Sequence, residues 1–349
     1  MIAAILATLA GLTCIIPRKR PLKRGAEIKQ ILSDLESLKS HPDYKGGVRL
    51  NIEFFNAIRH PFSYLWWLIS RAPKLRKDRD RIVELADLPL TRWQKELLET
   101  LSWFEVWALR ILRPIGKQII QELERLKKVK KEPIVMASLG CGGMELERQL
   151  LYQLVRMRFK SPLIFIGIDY SPAVPDVITS KFANLVSKGL LEVRTISHLG
   201  AAELNELKAE AVSKRFLVVL LNADAFQLKE LAPDSFDLVY HTRLRHHLTL
   251  EEGKRLDELA IHLAPKLMEL DDLFSISGII IMSIFLWRFP ALLNGGILSS
   301  LRDFSKKELL AKKEKGWTID IYGRPLWCYL RVYDKAGSAS AEAAALSSG

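Results

Sequence analysis

The stretch Pro133-Ile-Val-Met-Ala-Ser-Leu-Gly-Cys-Gly-Gly143 marks a change in the character of the chain. Ile134 to Leu139 form a short apolar run of the kind that a strand buried on both faces requires. Glycines follow at once, and Glu145–Lys160 has helical periodicity. Glycines between a parallel strand and a helix let the backbone approach a ligand, and the helix start offers free amides. The dinucleotide pattern G-x-G-x-x-G is not met, because Glu145 stands where its last glycine would be.

Downstream, strands and helices alternate. Leu163–Ile168 reads as a second strand, Phe216–Leu221 as a third, Phe236–Tyr240 as a fourth and Ile279–Leu286 as a fifth. Thr249 with Glu252, and Ser305 with Glu308, have capping-box spacing, so helices are expected to begin there. Thr318–Tyr322 and Trp327–Tyr333 read as a closing strand pair around Gly323-Arg-Pro325. The expected fold is α/β: a doubly wound, mostly parallel seven-stranded sheet with a terminal antiparallel pair, preceded by an α-helical N-terminal module.

Chemistry-bearing residues fall at carboxyl ends of strands, where ligands bind in open α/β sheets. The first strand ends in Gly140-Cys-Gly-Gly143. The second ends in Asp169, whose carboxylate can accept hydrogen bonds from ribose hydroxyls, with Tyr170 beside it. The third ends in Asn222-Ala-Asp224, where a carboxylate could accept from an adenine amino group. The fourth is followed by His241-Thr-Arg-Leu-Arg-His-His247. Any one of these alone reads as a turn or a solvated acid; four in order at successive strand ends read as one site.

The series Ser138–Gly143, Gly167-Ile-Asp169, Asn222-Ala-Asp224 and Phe236–Leu248 resembles the class I S-adenosylmethionine-dependent methyltransferases over roughly residues 115–335. The resemblance implies that Ser138, Gly140, Cys141, Gly142 and Gly143 hold the methionine part of S-adenosyl-L-methionine. Asp169 and Tyr170 would meet the ribose, and Ala223 and Asp224 the adenine. His241 and Thr242 would lie along the cofactor beside the acceptor pocket. The sequence departs from the family in three ways. Ser138 replaces a frequent acid, Met144 replaces the usual third glycine, and Ser187–Lys214 looks like an insertion with its own helix, Ala201–Lys214. His241, His246 and His247 are the candidate catalytic residues, since imidazole can act as a base near neutral pH. The competing reading of His246 and His247 is that they open a helix, one packed and one solvated. No metal is implied: Cys14, Cys141 and Cys328 are far apart and form no C-x-x-C pair.

The chain has 349 residues and a formal net charge of +12. Residues 1–131 carry the whole excess, with 26 basic and 14 acidic side chains. This asymmetry points to an anionic partner, lipid or nucleic acid. Ile2–Ile16 is almost wholly apolar, and Arg18, Lys19, Arg20, Lys23 and Arg24 follow Pro17. As a helix the run would reach about 22 Å, short of a ~30 Å hydrocarbon core. Phe62–Ile69, with Trp66 and Trp67, precedes Arg71, Lys74, Arg76 and Lys77, a pairing that suits a headgroup boundary or a packed core equally.

The expected organisation is therefore an apolar segment and basic cluster at 1–24, a helical basic module at 25–131, the cofactor-binding domain at 132–335 and a small-residue tail at 336–349. The expected location is the cytoplasmic side of a membrane, peripheral or anchored by one transmembrane helix, or otherwise the cytoplasm. The leading reading is methyl transfer to a small lipophilic acceptor at a membrane surface. Phe285–Leu293 is a candidate lining for the acceptor pocket, and Asn294-Gly-Gly296 a candidate lid hinge. An RNA or protein methyltransferase, or a protein that binds the cofactor without catalysis, is the alternative. Nucleic acid is disfavoured as a partner, because the fourth strand lacks a [DN]-P-P-[YF] motif.

Overall fold

Three runs in this chain can satisfy their backbone and side chains only inside a sheet. Ile134–Leu139, Leu163–Ile168 and Phe216–Leu221 are buried at every residue, the signature of parallel strands covered on both faces. The computed structural model describes residues 24–103, 112–287, 289–311, 316–323 and 327–335. The apolar run Ile2–Ile16, the basic cluster up to Lys23, residues 104–111 of the expected helical module and the tail lie outside the described residues.

The first helices are α1 (Arg24–Leu38), α2 (Lys45–Ala57), α3 (Pro61–Ser70), α4 (Ala72–Lys77), α5 (Thr91–Trp103) and α6 (Arg113–Val129). There follow β1 (Ile134–Leu139), α7 (Glu145–Arg156), β2 (Leu163–Ile168), α8 (Val174–Ser187), β3 (Glu192–Ile196), α9 (Ala201–Lys214) and β4 (Phe216–Leu221). Then come β5 (Leu238–Thr242), α10 (Leu250–Leu263), β6 (Lys266–Asp272), α11 (Ile276–Phe285), α12 (Pro290–Arg302) and α13 (Lys306–Ala311). The last elements are β7 (Trp317–Gly323) and β8 (Trp327–Asp334).

The chain forms two units, and their boundaries differ from those expected. One contains residues 98–273 and 304–349, the other 1–97 and 274–303. In the first, eight strands run in the order β3-β4-β2-β1-β5-β6-β8-β7. Neighbours are parallel up to β6, β8 is antiparallel to β6, and β7 is antiparallel to β8. The helices lie on both faces. Ile115, Ile119 and Leu123 of α6 join Leu150 and Leu154 of α7 and Ile178 and Phe182 of α8 against one face. Leu204 and Leu207 of α9 and Leu256 and Leu263 of α10 cover the other. Helix α6 thus belongs to the sheet unit and not to the helical module in which sequence placed it. The eighth strand, β3, comes from the insertion Ser187–Lys214, along with the expected helix Ala201–Lys214 (α9). Its burial is only partial, so it carries none of the apolar pattern that reveals the other strands.

The fifth strand requires a correction. Ile279–Leu286 lies not in the sheet but almost entirely in helix α11, capped by Ser275, whose Oγ accepts from the Gly278 N–H at 3.2 Å. The strand in that place is β6, Lys-Leu-Met-Glu-Leu-Asp-Asp. Its carboxylates disguise it. Glu269 is fully buried and accepts from Tyr329 Oη at 2.5 Å. Arg245 Nη2 lies 3.1 Å and Arg331 Nη2 2.8 Å from Glu269 Oε2. Asp257 of α10 binds the same two guanidinium groups. Burial alone would push the Glu269 carboxyl up; Arg245 and Arg331 together outweigh it and hold the group far below the usual carboxylate range.

The helical unit is built around α12. All but one of its residues from Pro290 to Arg302 are buried. Asn294 Oδ1 accepts from the Leu85 N–H at 3.1 Å, Ser299 donates to Glu84 at 2.8 Å, and Arg302 binds Asp87 at 3.1 Å. Gly295 and Gly296 therefore lie within a packed helix. A Cβ on Gly296 would come within 2.9 Å of Met282 Sδ. These glycines allow close helix packing and are not a lid hinge, and the Pro290–Leu293 part of the expected acceptor lining is interior to this unit. Among the described residues no helix is long and apolar enough to cross a membrane.

Removing one member of a buried charge cluster strands the others without a counter-charge, at a cost of about 3–5 kcal/mol. Glu269→Ala is expected to destabilise the sheet unit by that order, measured by urea denaturation, and Glu269→Gln by less. A loss for the alanine variant below about 1 kcal/mol would contradict the assignment of the cluster as a structural anchor.

Candidate functional site

The loop after β1 is shaped by three left-handed residues in a short space: Gly140 (φ +61°), Gly142 (φ +48°) and Met144 (φ +48°). Glycine adopts this region freely, whereas Met144 adopts it at a cost, as the residue that starts α7. The loop lies directly on β2. The Cys141 N–H donates to the Ile168 carbonyl at 3.0 Å. A Cβ on Gly167 would meet Cys141 Sγ at 2.9 Å and Met144 Sδ at 3.0 Å. Gly167 is therefore a requirement of the site that sequence reading quoted in a motif without assigning a role. Burial, with Asp169 and Glu147 adding to it, pushes the Cys141 thiol well above its usual range, so it stays protonated.

Asp169 connects the loops. Its Oδ2 accepts from the Gly142 N–H at 2.8 Å and its Oδ1 from the Ser171 N–H at 2.9 Å. A carboxylate has about four acceptor sites, so each oxygen keeps one for a further donor. Burial pushes this carboxyl up, against the two N–H bonds and the nearby His247. Tyr170 is 62% exposed beside it. Asn222 Nδ2 donates to the carbonyls of Asp169 and Ser171 at 2.8 and 3.1 Å, tying the end of β4 to the end of β2. The Ala223 N–H also donates to the Asp169 carbonyl, at 3.1 Å. Asp224 is exposed and caps the short helical turn that follows, accepting from the Phe226 N–H at 3.0 Å.

Ser138 sits buried on β1, on the face that α7 covers. The carboxylate in this region comes from the helix: Glu147 accepts from Tyr240 Oη at 2.8 Å and is hydrogen-bonded by Ser138. An acid is thus present against Ser138 although the strand does not supply it. Lys181 Nζ lies 3.5 Å from the Gly143 carbonyl and 3.7 Å from Glu145, bracing the loop from α8.

The three candidate histidines occupy different settings. His241 is fully buried on β5, its Nε2 3.7 Å from Glu269 Oε2, and burial lowers its pKa. It lies against the buried charge cluster of Glu269, Arg245 and Asp257. Thr242, the last residue of β5, is half-buried. His246 is buried in the turn after β5, its Nδ1 2.7 Å from Asp271 Oδ1. Its ring packs on His247, with centroids 4.3 Å apart. The structure thus gathers Gly140–Gly143, Asp169, Tyr170 and the His246–His247 turn at the carboxyl ends of adjoining strands β1, β2 and β5. Asp271, near the end of β6, is the partner of candidate His246 that the sequence does not reveal. The signal was obscured because the strand itself was not recognised.

The sheet unit is a doubly wound, mostly parallel α/β sheet closed by an antiparallel strand pair, with residues 274–303 inserted between β6 and β7. No family model and no curated protein matches the chain. Among solved structures it is similar to the plantazolicin methyltransferase BpumL in complex with SAH, at 10% identity and a TM-score of 0.45, over 76% of this chain and 98% of that one. It is similar to the DszA carbon methyltransferase at 14% identity and a TM-score of 0.43, over 87% and 69% of the two chains. The small RNA methyltransferase HEN1 is similar at 13% identity and a TM-score of 0.36, over 62% and 26%.

The geometry generates two expectations for binding of S-adenosylhomocysteine, measured by calorimetry. Asp169→Ala should weaken it roughly 10- to 150-fold, since a charge-assisted hydrogen bond contributes about 1.5–3 kcal/mol. Unchanged affinity in a folded variant would remove Asp169 from the site. Gly142→Val should abolish the cofactor-induced rise in melting temperature, because a β-branched residue is strained at positive φ and shifts the loop. A variant that keeps the full rise would refute the loop assignment.

Proposed function

We propose that this chain is an S-adenosylmethionine-dependent methyltransferase acting on a small lipophilic acceptor at a membrane surface. The observation that carries the reading is Asp169, held by backbone N–H groups from the loops after β1 and β2 with acceptor capacity left on both oxygens. That donor and acceptor set fits a ribose diol. The left-handed glycine loop gives backbone access beside it, and exposed Tyr170 and Asp224 flank it. S-adenosylmethionine, when bound, supplies an electrophilic methyl group on a sulfonium.

The residues of the chain then have separable tasks. Gly140–Gly143 and Asp169 fix the cofactor, so that transfer becomes a matter of alignment within one site. Asp271 orients His246 through Nδ1, which makes Nε2 the nitrogen able to take a proton from an acceptor hydroxyl, amine or acidic carbon. The same pairing stabilises the imidazolium formed. Lipophilicity of the acceptor is supported by the apolar character of the helical unit and by the basic excess beside the apolar N-terminal run. Uptake of label from the cofactor by a lipid fraction tests it. Label in RNA or protein, or binding with no label uptake, would favour one of the alternatives.

Burial pushes the Asp271 carboxyl up to about 6. Below that pH it is protonated and no longer anchors an imidazolium; above it the carboxylate is restored. Methyl transfer should therefore rise with pH through about 6. His246→Gln should lower kcat by about 10²-fold or more while S-adenosylhomocysteine affinity stays unchanged. A flat profile between pH 5 and 8, together with an unaffected His246→Gln enzyme, would exclude a base role for this pair.

A further inference from the structure

Helix α3 has two apolar sides. Tyr64 and Trp67 turn inward, where both rings meet Phe54 edge-on. Phe62, Leu65, Trp66 and Ile69 recur at i, i+3, i+4 and i+7, a helical stripe that faces outward. Phe62 is 86% and Trp66 70% exposed. A 2.7 Å hydrogen bond between Tyr64 and Ser283 joins α3 to α11 in the same unit. Helix α11 has its own outward stripe, Ile276, Ile280 and Ile284, each more than half exposed. Single exposed apolar residues are normal on a soluble surface; two adjoining stripes of this size mark an interaction site.

Within the segments that carry these stripes every charged side chain is basic, and Glu53 of α2 pairs with Arg71 at the end of α3 at 3.2 Å. No Asp or Glu occurs between Phe54 and Lys77, nor between Phe274 and Arg302. Arg59 lies exposed just before α3, and Lys74 and Lys77 lie exposed on α4 after it. Arg24 lies beside the two helices. Arg24 stacks over the Trp287 ring at 4.3 Å and donates to the Trp287 carbonyl at 2.9 Å. Trp287 in turn lies against Tyr64, with centroids 5.4 Å apart. In sequence, Arg24 follows the apolar run Ile2–Ile16 and four more basic residues.

We propose that the outward face of α3 and α11 docks on an anionic lipid bilayer. The stripes occupy the boundary between headgroups and acyl chains, and the flanking Arg and Lys side chains meet anionic headgroups. A second copy of the same face is disfavoured, because two surfaces whose segments carry an excess of positive charge repel each other. The inference deepens the reading that the enzyme works at a membrane surface, but it is argued without reference to methyl transfer.

Flotation of the full chain with phosphatidylcholine vesicles, and with vesicles containing phosphatidylserine, tests it. The chain should float with the anionic vesicles, less at high salt. The double variant Phe62→Ser with Trp66→Ser should partition at least about tenfold more weakly, since two bulky apolar side chains leave the interface. Both positions are exposed, so its circular dichroism and S-adenosylhomocysteine affinity should match wild type. Ile280→Ser with Ile284→Ser should weaken flotation likewise. A double variant that floats as wild type does would place the anchor in residues 1–23 and overturn the proposal. A chain that stays in the aqueous fraction with both vesicle types would overturn it too, whether the stripes are covered by Ile2–Ile16 or by a second copy revealed by sedimentation. Flotation without S-adenosylhomocysteine binding would sink the methyltransferase reading and leave the docking face standing.

Discussion

Glu269 lies at the centre of β6 with no exposure to solvent, between the guanidinium groups of Arg245 and Arg331. An isolated charge could not be carried there, since the desolvation penalty is several kcal/mol per ion. The cluster therefore dictates what surrounds it. Arg245 fixes the turn after β5, Arg331 and Tyr329 fix β8, and Asp257 fixes α10. Gly253 on α10 leaves room for the Arg245 side chain, which a Cβ there would meet. Two residues further along β6, on the same face of the strand, Asp271 makes the contact to His246. One strand thus supplies the anchor of the turn with its first acid and the orientation of a histidine with its second. The position of His246 depends on the stability of the charges behind it.

The other half of the site depends on contact distance. The loop after β1 can lie on β2 only because residue 167 has no side chain, and that closeness brings the Gly142 N–H to Asp169. Asn222 then fastens the loop after β2 to the end of β4. Asp169 is held in place through backbone donors and a neighbouring amide, so its carboxylate is oriented before any ligand arrives. Glu147, Ser138 and Tyr240 make a buried polar network beneath the loop, with the acid contributed by α7.

The parallel core was legible wherever strands were apolar at every position. β1, β2 and β4 have the boundaries that periodicity gives, and both capping boxes form, at Thr249 and at Ser305. Two strands were hidden for opposite physical reasons. β6 is buried but charged, because its acids find guanidinium partners far away in sequence. β3 is an edge strand with partly exposed side chains, so no pattern was required of it. The run Ser-Gly-Ile-Ile-Ile-Met of α11 misled through its β-branched residues, since their preference for strands is overridden by a serine cap and by packing on α12. Asp169 and the glycine loop stand at the ends of β2 and β1, where the sequence places them. Asp271 could not be placed in this way, and the burial of His241 depends on partners that only the folded chain brings together.

Residues 274–303 leave the sheet unit after β6 and return to it before β7, and in between they complete the helical unit begun by residues 24–97. The central helix of that unit is α12, so its first helices, though Phe54 packs on Phe55, Tyr64 and Trp67, lack their central partner until α12 exists. During synthesis, at ~5–20 residues per second, the first segment emerges roughly 10–40 seconds before the second. For that interval Phe54, Trp67 and Trp93 belong to helices whose central packing partner has not been made. The N-terminal unit of this protein is therefore first in the chain and late to fold, and the nascent chain spends that time with more apolar surface uncovered than the finished molecule has.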